Sequence, residues 1–218
     1  MNAMVQNAPT RRLPRAERER QMLDAAHALF AERGFAAVTM DDVAASVGVT
    51  KPLLYQYFGN KERLYLACME RAGDAMLAAV VAAIGEHDGP ADALRHGLRA
   101  FFAFLDGDRD AWRVLFDETL PAGGEIAGRV GEYRERLLQL VAQSQLAQLP
   151  ERHRASLATE TEALATALLG AAEALGRWWL RTGAMSAADA ADLLIATVEP
   201  GLRERTARTP ERPPGATP

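Results

Sequence analysis

The chain has 218 residues, 49% hydrophobic and 25% charged, with a formal net charge of -4. That is the composition of a soluble globular protein with room for one or two domains. One cysteine, Cys68, excludes an intramolecular disulfide framework and fits a reducing compartment. No apolar run approaches the roughly 18 residues that span a bilayer, and the first fourteen residues lack a signal-peptide core, so a cytoplasmic location is expected.

The net charge is unevenly divided. Residues 10 to 65 hold nine Lys or Arg and seven Asp or Glu; from totals of 25 and 29 this leaves sixteen basic and twenty-two acidic residues elsewhere. A slightly basic module on an acidic body is the footprint of a nucleic-acid-facing segment, though too modest to establish one unaided.

In chain order, residues 1–14 read as a disordered basic arm. Arg11, Arg12 and Arg15 could enter a minor groove, and they equally fit a solvated tail. PRAERERQMLDAAHALFAERGF reads as a helix from about Arg15 to Arg33, with Met22, Leu23, Ala26, Leu29 and Phe30 inward and Gly34 ending it. Phe35 and Val38 then close a small core.

TMDDVAASVGV follows. Thr39 can cap a short helix with Asp42 at its third position, close to a capping box, while Val43 and Val47 form one apolar stripe. Gly48 sits where the chain must turn sharply. In VTKPLLYQYFGNKERLY, Thr50 can cap a second short helix and Pro52 lies in its first turn. Gly59 suits its end, and Asn60 can cap the helix beginning at Lys61. Leu54 and Phe58, four apart, point inward, which leaves Lys51, Leu53, Tyr55, Gln56 and Tyr57 partly or wholly outward.

Two short helices joined by a Gly-containing turn form a helix-turn-helix, whose second helix enters the DNA major groove. Lys51 can reach a guanine edge or a phosphate, and Gln56 can pair with an adenine edge. Thr50, Tyr55 and Tyr57 can donate to phosphates, and Lys61 adds a cation at a helix start. Tyrosines covering a domain seam would account for Tyr55 and Tyr57 singly, but not for the set.

Ala31 to Tyr65, AERGFAAVTMDDVAASVGVTKPLLYQYFGNKERLY, resembles the N-terminal domain of TetR-family transcriptional regulators. The likeness covers roughly residues 15 to 65 without a gap. It implies that Thr39, Thr50, Lys51, Pro52, Leu53, Tyr55, Gln56, Tyr57 and Lys61 fall where family members touch DNA. Pro52 and Leu53 depart from the commoner small or polar residues there; an apolar pair could meet thymine methyl groups.

Beyond Arg63 the pattern is helical, with punctuation at 88–90, 106–108, 121–124, 149–150 and 182–186. Candidate helices cover about 61–84, 90–105, 110–119, 125–148, 152–181 and 186–205. The expected fold is all-α. A three-helix DNA-binding domain occupies 15–60, a helical effector-binding and dimerisation domain 61–206, and a disordered Pro-rich tail 207–218.

In the last two long helices, Leu164, Leu168, Ala171, Leu175 and Trp178 or Trp179 lie on one side, Gly170, Ala174 and Gly176 allow close approach, and Leu193, Leu194, Thr197 and Val198 lie opposite, in stripes that fit either an intramolecular core or a partner. The resemblance implies the latter, a four-helix bundle between two subunits. Aromatic residues concentrate in the middle helices, at Phe101, Phe102, Phe104, Trp112, Phe116 and Tyr133, with Leu105 and Leu115 among them. Such a concentration is ordinarily core; the resemblance implies an effector pocket there, for which Phe101, Phe104, Leu105, Trp112, Phe116 and Tyr133 are the candidates. Arg113, Asp117, Glu118 and Glu173 could orient a polar group.

RLPR (12–15), KPLLYQ (51–56), LYLA (64–67), FFAF (101–104) and RVLF (113–116) also resemble the branch of the family that regulates fatty-acid synthesis and senses long-chain acyl-CoA.

Enzymatic readings find no support. Cys68 has no evident base partner, the four histidines show no metal-ligand spacing, and Gly123, Gly124, Gly128 and Gly131 do not form a phosphate loop. No cofactor or metal is expected. The reading is a dimeric repressor of a palindromic DNA operator, released by a lipophilic effector. Its alternatives are an all-helical protein-interaction scaffold and an acyl-CoA-responsive activator of lipid genes.

Overall fold

The computed structural model describes residues 14–85, 90–116, 120, 123–147 and 149–208. The expected arm before residue 14, the tail after 208, and Asp117 and Glu118 lie outside the described residues. Ten helices and no strand occur among the described residues: α1 (Arg15–Ala37), α2 (Met40–Val47), α3 (Lys51–Phe58), α4 (Lys61–Gly85), α5 (Pro90–Gly107), α6 (Arg109–Leu115), α7 (Glu125–Ala147), α8 (Glu151–Arg154), α9 (Ala158–Thr182) and α10 (Ala187–Arg208).

The N-terminal helices take their ends from local chemistry. Gly34, at φ 77°, breaks the helical path of α1. Thr39 and Asp42 cap α2 reciprocally: Thr39 Oγ1 accepts from the Asp42 N–H at 3.2 Å, and Asp42 Oδ2 accepts from the Thr39 N–H at 2.9 Å. Gly48 ends α2 in the left-handed region at φ 70°. Asn60 Oδ1 accepts from the Arg63 N–H at 2.8 Å and so opens α4. Thr50 departs from expectation, because its side chain makes no capping hydrogen bond. Pro52 already removes one N–H from the first turn of α3, which reduces what a cap must satisfy.

α1 packs on α2, α4 and α6; α5 lies against α4 and α10, and α7 pairs with α9. Phe30 and Phe35 meet the edge of the fully buried Tyr65 ring at 4.9 and 5.1 Å between centroids. Tyr65 in turn donates to the Val114 carbonyl of α6. α4 is held along its length by further polar ties. Arg71 pairs with Asp24 of α1 at 2.6 Å, Tyr133 Oη of α7 donates to Asp74 Oδ1 at 2.7 Å, and Arg129 pairs with Glu70 at 3.0 Å. The Tyr133 ring fits only because residue 73 is glycine: a Cβ there would stand 2.7 Å from it.

The expected single helix over 152–181 divides into α8 and α9. Near the break, Ser156 Oγ donates to the His153 carbonyl, the local competition with backbone pairing typical of serine. Salt bridges Arg95–Glu199 and Arg99–Asp192, both 2.8 Å, tie α5 to α10.

Candidate nucleic-acid interface and ligand cavity

α3 is only about two turns long, so its neighbours must hold it. Leu54 and Phe58 are buried and anchor it, leaving Lys51, Pro52, Tyr55 and Gln56 exposed and Leu53 and Tyr57 half-buried. Apart from Thr39 and Lys61, the residues singled out for DNA therefore sit on or at the start of one short helix.

Three of these side chains, Lys51, Lys61 and Tyr57, have intramolecular work that sequence reasoning missed, and Thr39 is engaged in the capping pair expected of it. Lys51 Nζ pairs with Asp41 Oδ2 at 2.8 Å, which raises the lysine pKa; both groups are half or more exposed, so the pair is easily exchanged. Lys61 Nζ donates to the carbonyls of Phe35 and Val38 at 2.8 and 2.9 Å and lies 4.3 Å from the Phe35 ring centroid. Two of its three donors thus close the loop after α1, which leaves one donor. Thr39 Oγ1 donates to Asp42 Oδ2 at 2.6 Å, and these hydrogen bonds hold the Asp42 carboxyl below the usual range. Tyr57 is also engaged, with the Arg15 guanidinium 5.3 Å above its ring.

A small apolar cavity, partly open to solvent, lies between four helices. Val80 and Ile84 of α4, Leu94, Gly97, Leu98 and Phe101 of α5, Leu137, Val141 and Ser144 of α7, and Leu168, Leu169 and Ala172 of α9 line it. Of the six residues named for an effector pocket, Phe101 lines this cavity. Leu105 and Trp112 are buried against Gly176, Phe116 stacks on Trp112 at 3.9 Å, Tyr133 fills the notch at Gly73, and Phe104 packs on the outside of the core. Apart from Phe101 and Ser144, the cavity is lined by aliphatic side chains and Gly97.

The dimer candidates divide by their burial within one chain. Leu168 and Leu194 are each 6% exposed within one chain, Leu168 at the cavity and Leu194 in the core. Leu164, Ala171, Leu175, Trp178 and Val198 are half-buried. The outward faces carry Ala163, Ala167, Gly170 and Ala174 on α9 and Leu193 on α10, the last 51% exposed. Stripe periodicity could not tell the two sides of these helices apart.

The remaining polar candidates are paired: Arg113 with Asp110 at 3.2 Å, and the buried Glu173 with Arg134. Burial pushes the Cys68 thiol up to about 12, far from thiolate chemistry. Among the described residues there is no group of His, Cys, Asp and Glu that could hold a metal, and no helix long and apolar enough to cross a membrane.

Residues 22–68 match the family model for bacterial regulatory proteins of the tetR family, and residues 90–199 match the tetracyclin repressor-like C-terminal domain. The chain belongs to the TetR family. It is accordingly a transcriptional regulator with an N-terminal helix-turn-helix domain, in a family of regulators rather than enzymes.

Among similar proteins is the HTH-type transcriptional activator FasR of Mycolicibacterium smegmatis, 38% identical over 119 residues, 55% of this chain and 54% of that relative. The chain spans about half the length of the curated relatives it matches most strongly. A TetR-like regulator from Rhodococcus sp. RHA1 superposes with a TM-score of 0.74 at 36% identity, over 88% of this chain and 99% of that one. AibR, solved in complex with isovaleryl coenzyme A and operator DNA, shares the fold at a TM-score of 0.67 and 20% identity, over 84% of this chain and 98% of its own.

Proposed function

We propose that this TetR-family protein is a homodimeric one-component repressor that reads a palindromic operator through α3 and leaves it when a lipophilic effector fills the cavity. The observation that carries the reading is the course of α4. It begins at Lys61, just past the exposed face of α3, and its far end supplies Val80 and Ile84 to the cavity. At 25 residues it is about 37 Å long, a lever joining the two sites.

Lys51 and Gln56 are the base-reading residues of the proposal. Thr50, Tyr55, Tyr57 and the remaining donor of Lys61 serve the phosphates, and Pro52 and Leu53 meet thymine methyl groups. Thr39 stands beside them at the start of α2. A two-fold reader must set its paired helices about one turn of B-DNA apart, roughly 34–36 Å, so a tilt of α4 is enough to unseat one half-site. The effector must prefer the unseated state, since equal affinity for both would shift nothing.

The surface chemistry of the last two helices supports pairing of subunits there. Small residues on α9 permit close approach, and Leu193 on α10 is a large exposed apolar side chain that a partner would bury. The FasR name favours a second reading, in which the same device activates transcription. AibR makes acyl-CoA thioesters the natural first effector class to try.

The test is footprinting on an operator selected from random duplex, with light scattering and effector titration on the same samples. The proposal requires a two-fold footprint, a dimer that Leu193→Asp dissociates, and release by a lipophile. Absence of salt-sensitive duplex binding under every effector condition would favour the scaffold reading.

A further inference from the structure

Thr39 and Asp42 between them close the N-terminal cap of α2, yet the first turn of that helix carries a second carboxylate. Asp41 takes no part in the capping box. Its Oδ2 instead accepts from Nζ of Lys51, the first residue of α3, at 2.8 Å, with the Asp41 side chain 65% exposed and that of Lys51 50% exposed. The pair joins the first turns of the two helices of the helix-turn-helix. In that motif the N-terminal residues of the second helix lie at the base edges. Whatever edge Lys51 reaches, the Asp41 carboxylate accompanies it there.

A carboxylate is an unfavourable group on a surface that approaches phosphates, since it repels them and cancels the cation beside it. A base edge is different, because it presents donors as well as acceptors. In the major groove guanine offers N7 and O6 as acceptors, and the cytosine paired with it offers an N4 hydrogen. O6 and N4 are joined by the base pair's own hydrogen bond and so stand about 2.9 Å apart. The separation of Lys51 Nζ and Asp41 Oδ2 is 2.8 Å. The ammonium has three donors and keeps two while Asp41 holds the third, and an ionised carboxylate accepts more than one hydrogen bond.

We propose that Lys51 and Asp41 read one G·C pair as a unit, the ammonium donating to guanine O6 and N7 and the carboxylate accepting from the groove-facing N4–H of the paired cytosine. A T·A pair also sets an acceptor beside a donor, but it gives the ammonium one acceptor instead of two and turns adenine N7 toward the carboxylate. Asp41 thereby becomes a specificity-determining residue: it neutralises Lys51 toward phosphates anywhere on the duplex and is matched only at the right base pair. The inference rests on α3 being the reading helix.

The test begins with operators selected from random duplex by wild type and by Lys51→Ala; the position whose preference Lys51→Ala relaxes should be G·C. N4-methylcytosine is then placed opposite that guanine in one half-site, where the methyl replaces the groove-facing hydrogen and leaves the pairing one. Wild type should bind the methylated operator about tenfold more weakly, the ratio expected of one charge-assisted hydrogen bond, and Asp41→Ala should bind both operators alike. Asp41→Ala should retain native helicity by circular dichroism, since the Thr39–Asp42 cap is untouched. It should also bind unrelated duplex more tightly and with a steeper salt dependence, because the released lysine reaches a phosphate. A pair that merely fastened α2 to α3 would lower operator and unrelated binding together. That result, equal affinity of wild type for the two operators, a methylation penalty that persists in Asp41→Ala, or a relaxed position other than G·C would each overturn the role of Asp41. If Lys51→Ala relaxes no position, base reading by Lys51 itself fails, and with it the reading on which this inference stands.

Discussion

The first sixty residues and the helical body are built from the same kinds of side chain, yet they are specified in different ways. In the N-terminal unit several helix ends are written within a few residues: Thr39 with Asp42, Gly48, Gly59, Asn60 with Arg63. In the body the decisive contacts join residues far apart in sequence, such as Tyr133 with Gly73, Arg95 with Glu199 and Gly176 with Leu105. Local chemistry fixes a small rigid reader, and long-range packing fixes a body whose helices can enclose a space. One core connects them, because Phe30 and Phe35 from the reader close on Tyr65 at the start of α4.

That contrast breaks most sharply at the shared core. Phe30 is 1% exposed, and Phe30→Ala should lower unfolding free energy by about 3–5 kcal/mol in denaturant titration. If the two units share one core, a single transition should remain. Early melting of the N-terminal helices alone, with the body intact, would show two separate cores.

Gly73→Ala probes the body where it is tightest. Alanine favours a helix by up to about 1 kcal/mol, but its Cβ would lie 2.7 Å from the Tyr133 ring, so either α7 or α4 must move. A net loss of about 1–3 kcal/mol is expected from calorimetric melting. A gain in stability would mean that the α4–α7 contact is loose, and the lever argument would lose one of its fixed points.

Thr39→Ala removes a local specification and should cost about 1 kcal/mol, read as a lower denaturation midpoint. The effect should be confined to the reader, with hydrogen exchange accelerating in α2 and not in α7.

The smallest effect concerns the seam of α1 and α6. His27 is buried with both ring nitrogens unpartnered, 3.7 Å from Asp108 Oδ1, and burial lowers its pKa below the ordinary 6.5. Asp108 and Asp110 of α6 oppose that shift, and Arg71 of α4 reinforces it. The folded state therefore prefers the neutral ring. Its contribution is complete above about pH 6.5 and is lost as pH falls below that value toward the lowered folded pKa. Thermal melts between pH 5 and 7.5 should show a shallow decline that His27→Gln removes; an identical decline in the variant would assign it to other groups.

The same contrast explains what was legible in the sequence. The helix ends around α2 and α3 could be read because a cap and a glycine act on neighbours. Leu54 and Phe58 could be read as inward because they lie one turn apart. The Lys51–Asp41 pair and the anchoring of Lys61 were not readable, since the first depends on how α2 and α3 meet and the second on how α1 and α4 meet. Nor was the cavity. Its lining of Leu, Val, Ile and Ala has the composition of any core, whereas the conspicuous aromatics are better suited to filling space than to bounding it. Leu168 belonged to a stripe that fitted two partners, and only the position of α7 decides which side of α9 is inward.

The central claim is that α3 reads DNA, and alanine at Gln56 and Lys51 tests it most directly. On a selected operator, with native helicity confirmed by circular dichroism, each substitution should weaken specific binding by about 1–3 kcal/mol, roughly 5–150-fold, while binding to unrelated duplex changes less. Operator affinity unchanged in both variants would contradict the assignment of α3 as the reading helix.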